Sequence, residues 1–133
     1  NQKNKNTTDN NTNRELIEVA NNNMIKISVD EFINKFNNEK DFSFVITKNS
    51  CNMCKDLYEL LNKHKNIKID YEIRLDNADK NYKEDLKKLK NILPNLMVAP
   101  DLNFKKGNKV YRFDSEYSDI NYENLSSWLK KYK

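Results

Sequence analysis

Cys51 and Cys54 are the only two cysteines of the 133-residue sequence, set in Ser50-Cys51-Asn52-Met53-Cys54-Lys55. Two thiols three residues apart can close a disulfide and pass it to another pair, provided that one of them ionises to the attacking thiolate. The flanking residues favour that chemistry. Upstream, the short run Phe42 to Ile46 has aromatic and β-branched apolar residues, the pattern of a buried strand. Downstream, Leu57, Tyr58 and Leu61 fall at helical spacing, and Cys54 lies one turn before that stripe, on the same buried face. Cys51 stands at the helix entrance, where it can stay exposed. There the unpaired N–H groups of the first turn, with Lys48 and Lys55 nearby, favour the thiolate and lower a cysteine pKa from about 8.5. The expected roles are Cys51 as nucleophile, Cys54 as resolving thiol, and Lys48 and Lys55 as pKa-tuning cations. Asn52 and Met53 are expected to tune the potential and meet the client, Met53 through a soft apolar contact.

Other uses of such a pair fit less well. A structural zinc site needs four ligands, and the chain offers two cysteines and one histidine. His64 lies ten residues beyond Cys54 on the same helical pattern, about 15 Å away at 1.5 Å per residue. That distance argues against it as ligand or as catalytic base and leaves it as a solvated helix-end residue. A purely structural bridge between neighbouring turns would restrain the unfolded chain little, because the loop it closes is so short.

The remaining composition describes one domain with a tail. Charged residues make up 33% and hydrophobic residues 37%, with 24 basic and 20 acidic side chains for a net charge of +4. The two signs are interleaved, which suits a solvated surface better than a nucleic-acid footprint. No apolar run is long enough to span a membrane. Residues 1–22 form an Asn-, Thr- and Lys-rich stretch almost without apolar residues before Leu16, too polar to order itself by burial. They are expected to be a spacer between a removed signal or membrane anchor and a folded domain over residues 23–133.

Within that domain, Asn23-Met-Ile-Lys-Ile27 suggests a first strand, and Ser28-Val-Asp-Glu31 is a capping box opening a helix with Val29, Phe32, Ile33 and Phe36 on one face. After the strand and helix around the cysteines, Ile67, Ile69, Tyr71, Ile73 and Leu75 alternate with polar residues, predicting one strand with an apolar and a largely polar face. Tyr82, Leu86, Leu89 and Leu93 mark a helix stopped by Pro94. Two further β-rich runs flank the single glycine, Gly107, as a hairpin. A last helix from about Tyr122 carries Leu125, Trp128, Leu129 and Tyr132, with Trp128 read as core. The order β-α-β-α-β-α-β-β-α predicts an α/β fold whose mixed, mostly parallel central sheet has helices on both faces and an antiparallel hairpin at one edge.

With that order, a CxxC after the second strand and Val98-Ala99-Pro100 before the hairpin, residues 24–133 resemble the thioredoxin superfamily. The resemblance implies a thioredoxin fold in which Pro100 is cis and packs beside the cysteines, while Ala99 binds substrate backbone. Three features depart from thioredoxin itself. Asn52 and Met53 replace Gly-Pro, Ser50 replaces an aromatic, and Val45 stands where a buried acid six positions before the first cysteine assists proton transfer. A water or another carboxylate, such as Asp76, is the expected substitute. The Asn-rich tail and altered loop are more similar to the extracytoplasmic thioredoxin-like proteins of Gram-positive bacteria, among them the bacteriocin-transport accessory group.

The resulting expectation is a monomeric thiol–disulfide oxidoreductase outside the cytoplasm. It would act on protein thiol and disulfide clients with a membrane or soluble redox partner, and without nucleic acid, metal or any cofactor beyond the Cys51–Cys54 pair. The alternative is a non-catalytic binding or accessory module using the Pro100 face, to which Tyr111, Tyr117 and Tyr122 could contribute, although half-buried packing explains those tyrosines as well.

Overall fold

The computed structural model describes residues 24–97, 100–115 and 117–133; the polar stretch read as a spacer lies outside them. Five strands, β1 (Ile25–Ile27), β2 (Asp41–Lys48), β3 (Tyr71–Leu75), β4 (Asp101–Lys106) and β5 (Lys109–Arg112), alternate with four helices. The helices are α1 (Val29–Asn38), α2 (Asn52–Lys63), α3 (Tyr82–Ile92) and α4 (Tyr122–Lys130). The order of elements is the one the sequence predicts. The sheet runs β1-β3-β2-β4-β5. β1 and β2 flank β3 in parallel, whereas β4 pairs antiparallel with β2 and β5 with β4. The sheet is therefore half antiparallel, a correction to the mostly parallel expectation. β4 returns beside the central strand rather than joining the hairpin to an edge, so antiparallel pairing begins in the middle of the sheet.

Local chemistry explains the helix boundaries. Ser28 caps α1 by accepting from the Glu31 N–H while the Glu31 carboxylate accepts from the Ser28 N–H, the full capping box. Asn121 caps α4 in the same sense, accepting from the Asn124 N–H at 2.8 Å. The β4–β5 turn is two residues long, and Gly107 takes φ +61° at its first central position, where a hairpin turn of this length needs glycine.

Alternation along β2 divides the core. Phe42, Phe44 and Ile46 pack with Phe32 of α1 and Leu89 of α3 on one side. Val45 faces the other side, with Leu57 and Leu61 of α2 and Leu125 and Trp128 of α4. Helices cover both faces, so both parities of the central strands are buried.

The alternating stretch from Ile67 to Leu75 is not one strand. The ladder begins at Tyr71, and Ile67 and Ile69 pack on the α2/α4 side, whereas Ile73 and Leu75 pack on the α1/α3 side. The change of side falls at Asp70, which is held across to β2: its N–H donates to Ser43 Oγ at 2.9 Å and its carboxylate accepts from the Ser43 N–H at 2.9 Å. Nor is the other parity of the strand polar surface, for Glu72 is 0% exposed. Among the described residues no helix is long and apolar enough to cross a membrane.

Candidate functional site

β2 ends at Lys48, a short turn follows, and Cys51 is the N-cap residue of α2. Ser50, the residue before it, takes φ +58°, a left-handed conformation unusual for a residue with a side chain. This brings the chain sharply from strand into helix. Cys51 and Cys54 form a disulfide, with their Cα atoms 5.2 Å apart. The Cys51 sulfur also accepts the Cys54 N–H at 3.1 Å, and the Cys51 carbonyl accepts the Lys55 N–H at 3.1 Å. Cys51 is half-buried and Cys54 only 1% exposed, so one sulfur can be reached and the other is sealed in the core.

The electrostatic setting favours negative charge at Cys51. The helix N-terminus carries partial positive charge on its unpaired N–H groups. The first turns of α1, α3 and α4 hold acidic residues that offset that charge, and α2 has none. Lys48 and Lys55 are half-buried on either side of the turn. Between the cysteines Asn52 is exposed, and Met53 is 52% exposed.

Pro100 is buried immediately before β4. Because β4 runs antiparallel to β2 with Asp101 opposite Ile46, Pro100 lies at the end of the sheet from which the cysteine turn departs. Ala99, the expected substrate-binding residue, and Val98 lie outside the described residues, and so does the geometry of the bond before Pro100. Most of the other sequence candidates pack against structural partners. His64 caps the end of α2 and packs tilted against Tyr122 with centroids 4.3 Å apart. Tyr111 stacks on Tyr132 at 4.9 Å, and Trp128 is buried against Phe113. Tyr117 is 84% exposed.

Two buried acids escaped the sequence reading. Glu72 pairs in register with Val45, and its carboxylate accepts from Thr47 Oγ1 at 2.6 Å, from the Tyr58 hydroxyl and from Arg74 Nη2 at 3.2 Å. Tyr58 lies one turn beyond Cys54. Burial first, and the Glu72 charge second, push its phenol above the usual 10.0. Asp76, the carboxylate expected to substitute at Val45, is exposed; the buried carboxylate beside Val45 is Glu72. The signal for it was two-sided helix cover, which makes the polar parity of a central strand interior. The second acid, Asp101, receives the Arg112 guanidinium in a fork at 2.8 and 3.0 Å, and also accepts from the Met97 N–H at 3.2 Å and from the Asn103 amide at 3.2 Å.

The architecture has solved counterparts. The J-Trx1 fragment of ERdj5 is similar with a TM-score of 0.60 and 13% identity, over 83% of this chain and 50% of that one. Thioredoxin O2 from Arabidopsis thaliana in its oxidized state is similar with a TM-score of 0.52 and 20% identity, over 84% of this chain and 96% of that one. The fold is a thioredoxin fold. The chain spans about half the length of the ERdj5 fragment, so one thioredoxin-fold unit is the extent of that likeness. No family model matches the sequence, and no curated protein matches it significantly. On this thioredoxin fold the cysteine pair stands at the strand-to-helix turn after the second strand.

Proposed function

We propose that the chain is a thiol–disulfide oxidoreductase that exchanges disulfides with protein clients. The observation that carries this reading is the asymmetric pair: Cys51 at the N-cap of α2 and Cys54 1% exposed beneath it, on a thioredoxin fold. In the reducing direction the Cys51 thiolate attacks one sulfur of a client disulfide, and the other client sulfur leaves as a thiolate. The Cys54 thiol then loses its proton and attacks Cys51, closing the Cys51–Cys54 disulfide and releasing the second client sulfur. The client gains two electrons and the pair loses two. In the oxidising direction the same steps run in reverse. The electrons travel on sulfur alone, so the reaction calls for no further cofactor.

Helix α2 supplies what its own residues can: an N-terminus without an offsetting acid to favour the Cys51 thiolate, and a core position that keeps Cys54 from outside thiols. Pro100 and the segment before it form the docking element for client backbone, aided by Asn52 and Met53. Lys48 and Lys55 favour the charged form of Cys51. We further propose that the protein works outside the cytoplasm as a monomer. The Asn-rich, polar residues 1–22 would serve as its spacer to a membrane anchor, and accessory work in bacteriocin export is one setting of this kind. Metal and nucleic acid have no place in this reading.

The test is the reduction potential of the pair, equilibrated against glutathione or dithiothreitol and read by thiol alkylation. A value near about −270 mV makes the protein a reductase, and one near about −120 mV makes it a disulfide donor. A pair that never exchanges with a client disulfide overturns the reading and leaves a binding module, whose partner would be held equally well after Cys51→Ser.

A further inference from the structure

A groove opens beside the cysteine turn on the α1/α3 side of the sheet. Its floor is Ile46 of β2, Leu75 of β3 and Leu86 of α3, and it encloses about 200 Å³. Sites for small-molecule ligands start at about 300 Å³. This one fits a side chain or two rather than a cofactor. It touches both segments that the redox reading uses. Lys48 lies three residues before Cys51 and pairs in register with Leu75, while Met97 lies three residues before Pro100. Met97 is 45% exposed, and Met53, between the cysteines, is 52% exposed. Flexible, polarisable methionine side chains left in solvent suit a surface that must fit more than one apolar partner.

The rim has one sign of charge. Lys48 and Lys90 stand on it, and neither forms an ion pair with any described residue. The wall at Met97 is also held in place. Asp101, 1% exposed at its side chain, grips the Met97 N–H with one carboxylate oxygen while Arg112 forks onto both. Holding a docking wall in its bound shape lowers the ordering cost of binding.

We propose that this groove is the client-docking groove and that it selects disulfide-bearing segments in which an apolar side chain is flanked by acidic residues. The proposal rests on the oxidoreductase reading and adds to it the class of client. An apolar residue such as leucine fills the floor, and its acidic neighbours meet Lys48 and Lys90. Asp101 is a positioning residue that keeps Met97, and with it the groove's end, in place.

Two short fluorescein-labelled peptides test this on the full chain. They carry serine in place of cysteine and are alike except that the central leucine is flanked by glutamates in one and lysines in the other. The acidic peptide should bind about tenfold more tightly at low salt, since attraction becomes repulsion at two rim positions, and the gap should narrow as salt screens it. Lys90 is exposed, and Lys90→Glu leaves one cation and one anion on the rim, so it should abolish the preference, whereas Lys90→Arg should keep it. Equal binding of both peptides by the wild-type protein, or an unchanged preference in Lys90→Glu, overturns the proposal. So does a wild-type dimer in sedimentation equilibrium that Lys90→Glu disperses, which would give the groove to a second copy. Exchange of wild-type Cys51 with glutathione disulfide, a substrate too small to need the groove, reads the oxidoreductase function separately.

Discussion

The hydroxyl of Tyr58 donates a hydrogen bond to the buried carboxylate of Glu72, tying the cysteine-bearing helix to the middle strand of the parallel half of the sheet. Glu72 is the register neighbour of Val45, so a carboxylate lies one strand away from the position where thioredoxin carries its buried acid. Thr47 and Arg74 also donate to it. An interior carboxylate with several partners is held in a single geometry, because any shift strands one of them without water. Through Tyr58, that constraint extends to the turn of α2 that follows Cys54.

The first consequence is alkaline sensitivity. Tyr58 has its folded pKa raised above the unfolded value near 10.0, chiefly by burial and then by Glu72. A group raised in the folded state contributes stability that is fully present below its unfolded pKa and lost as pH rises through the interval up to the folded value. Stability should therefore fall above about pH 10 by up to about 1.4 kcal/mol per pH unit for this one proton. Urea unfolding at stepped pH measures it. Tyr58→Phe should flatten that part of the curve relative to wild type, at a cost near neutrality of about 1–3 kcal/mol for the lost partner of Glu72.

Removing the acid should be worse than removing one of its donors. Glu72→Ala leaves Arg74, 16% exposed at its side chain, without its buried counter-charge and leaves two hydroxyls without their acceptor. The expected loss is about 3–5 kcal/mol by denaturant unfolding. Glu72→Gln, which keeps an acceptor oxygen, should lose less. Equal losses in the two variants would show that the charge, and not the acceptor oxygen, is what the site needs.

Legibility in the sequence followed from how local each signal was. The capping box at Ser28, the helix start at Tyr122 and the glycine of the hairpin are set by neighbours within a few residues, and all three stand where the pattern puts them. Cys54 inside and Cys51 at the helix entrance also followed from spacing alone. What escaped depends on partners distant in sequence. Strict alternation from Ile67 to Leu75 hid a change of side at Asp70, because the clasp that causes it comes from Ser43, 27 residues away. Glu72 read as part of a polar face because Thr47 and Tyr58, which enclose it, lie on another strand and a helix. Asp101 drew no notice in the sequence because its partner Arg112 arrives only with the hairpin.

Ser50 should accept glycine more readily than any β-branched residue. Its φ of +58° lies in the left-handed region, where a β-branched side chain crowds the backbone. Ser50→Val should cost about 1–3 kcal/mol. Ser50→Gly should change stability by less than about 1 kcal/mol, since relief of strain and the added freedom of the unfolded chain oppose each other. Thermal unfolding of the oxidised proteins gives both values, and a Val variant as stable as wild type would mean that the turn re-forms with another backbone geometry.

The cysteines themselves should separate by reactivity once reduced. Cys51 is half-buried at a helix N-terminus free of acids in its first turn, whereas Cys54 is 1% exposed. Iodoacetamide should therefore label Cys51 first, at a rate that rises with pH to a plateau below the value of an ordinary thiol near pH 8.5, because the helix end favours the thiolate. Cys54→Ser should still form a mixed disulfide with a client but hold it, since no second thiol is left to release Cys51. Cys51→Ser should form none, because the remaining sulfur is sealed in the core on the inner face of α2. Mass spectrometry of the trapped species checks all three results together. Preferential labelling of Cys54 would reverse the assignment of nucleophile and resolving thiol.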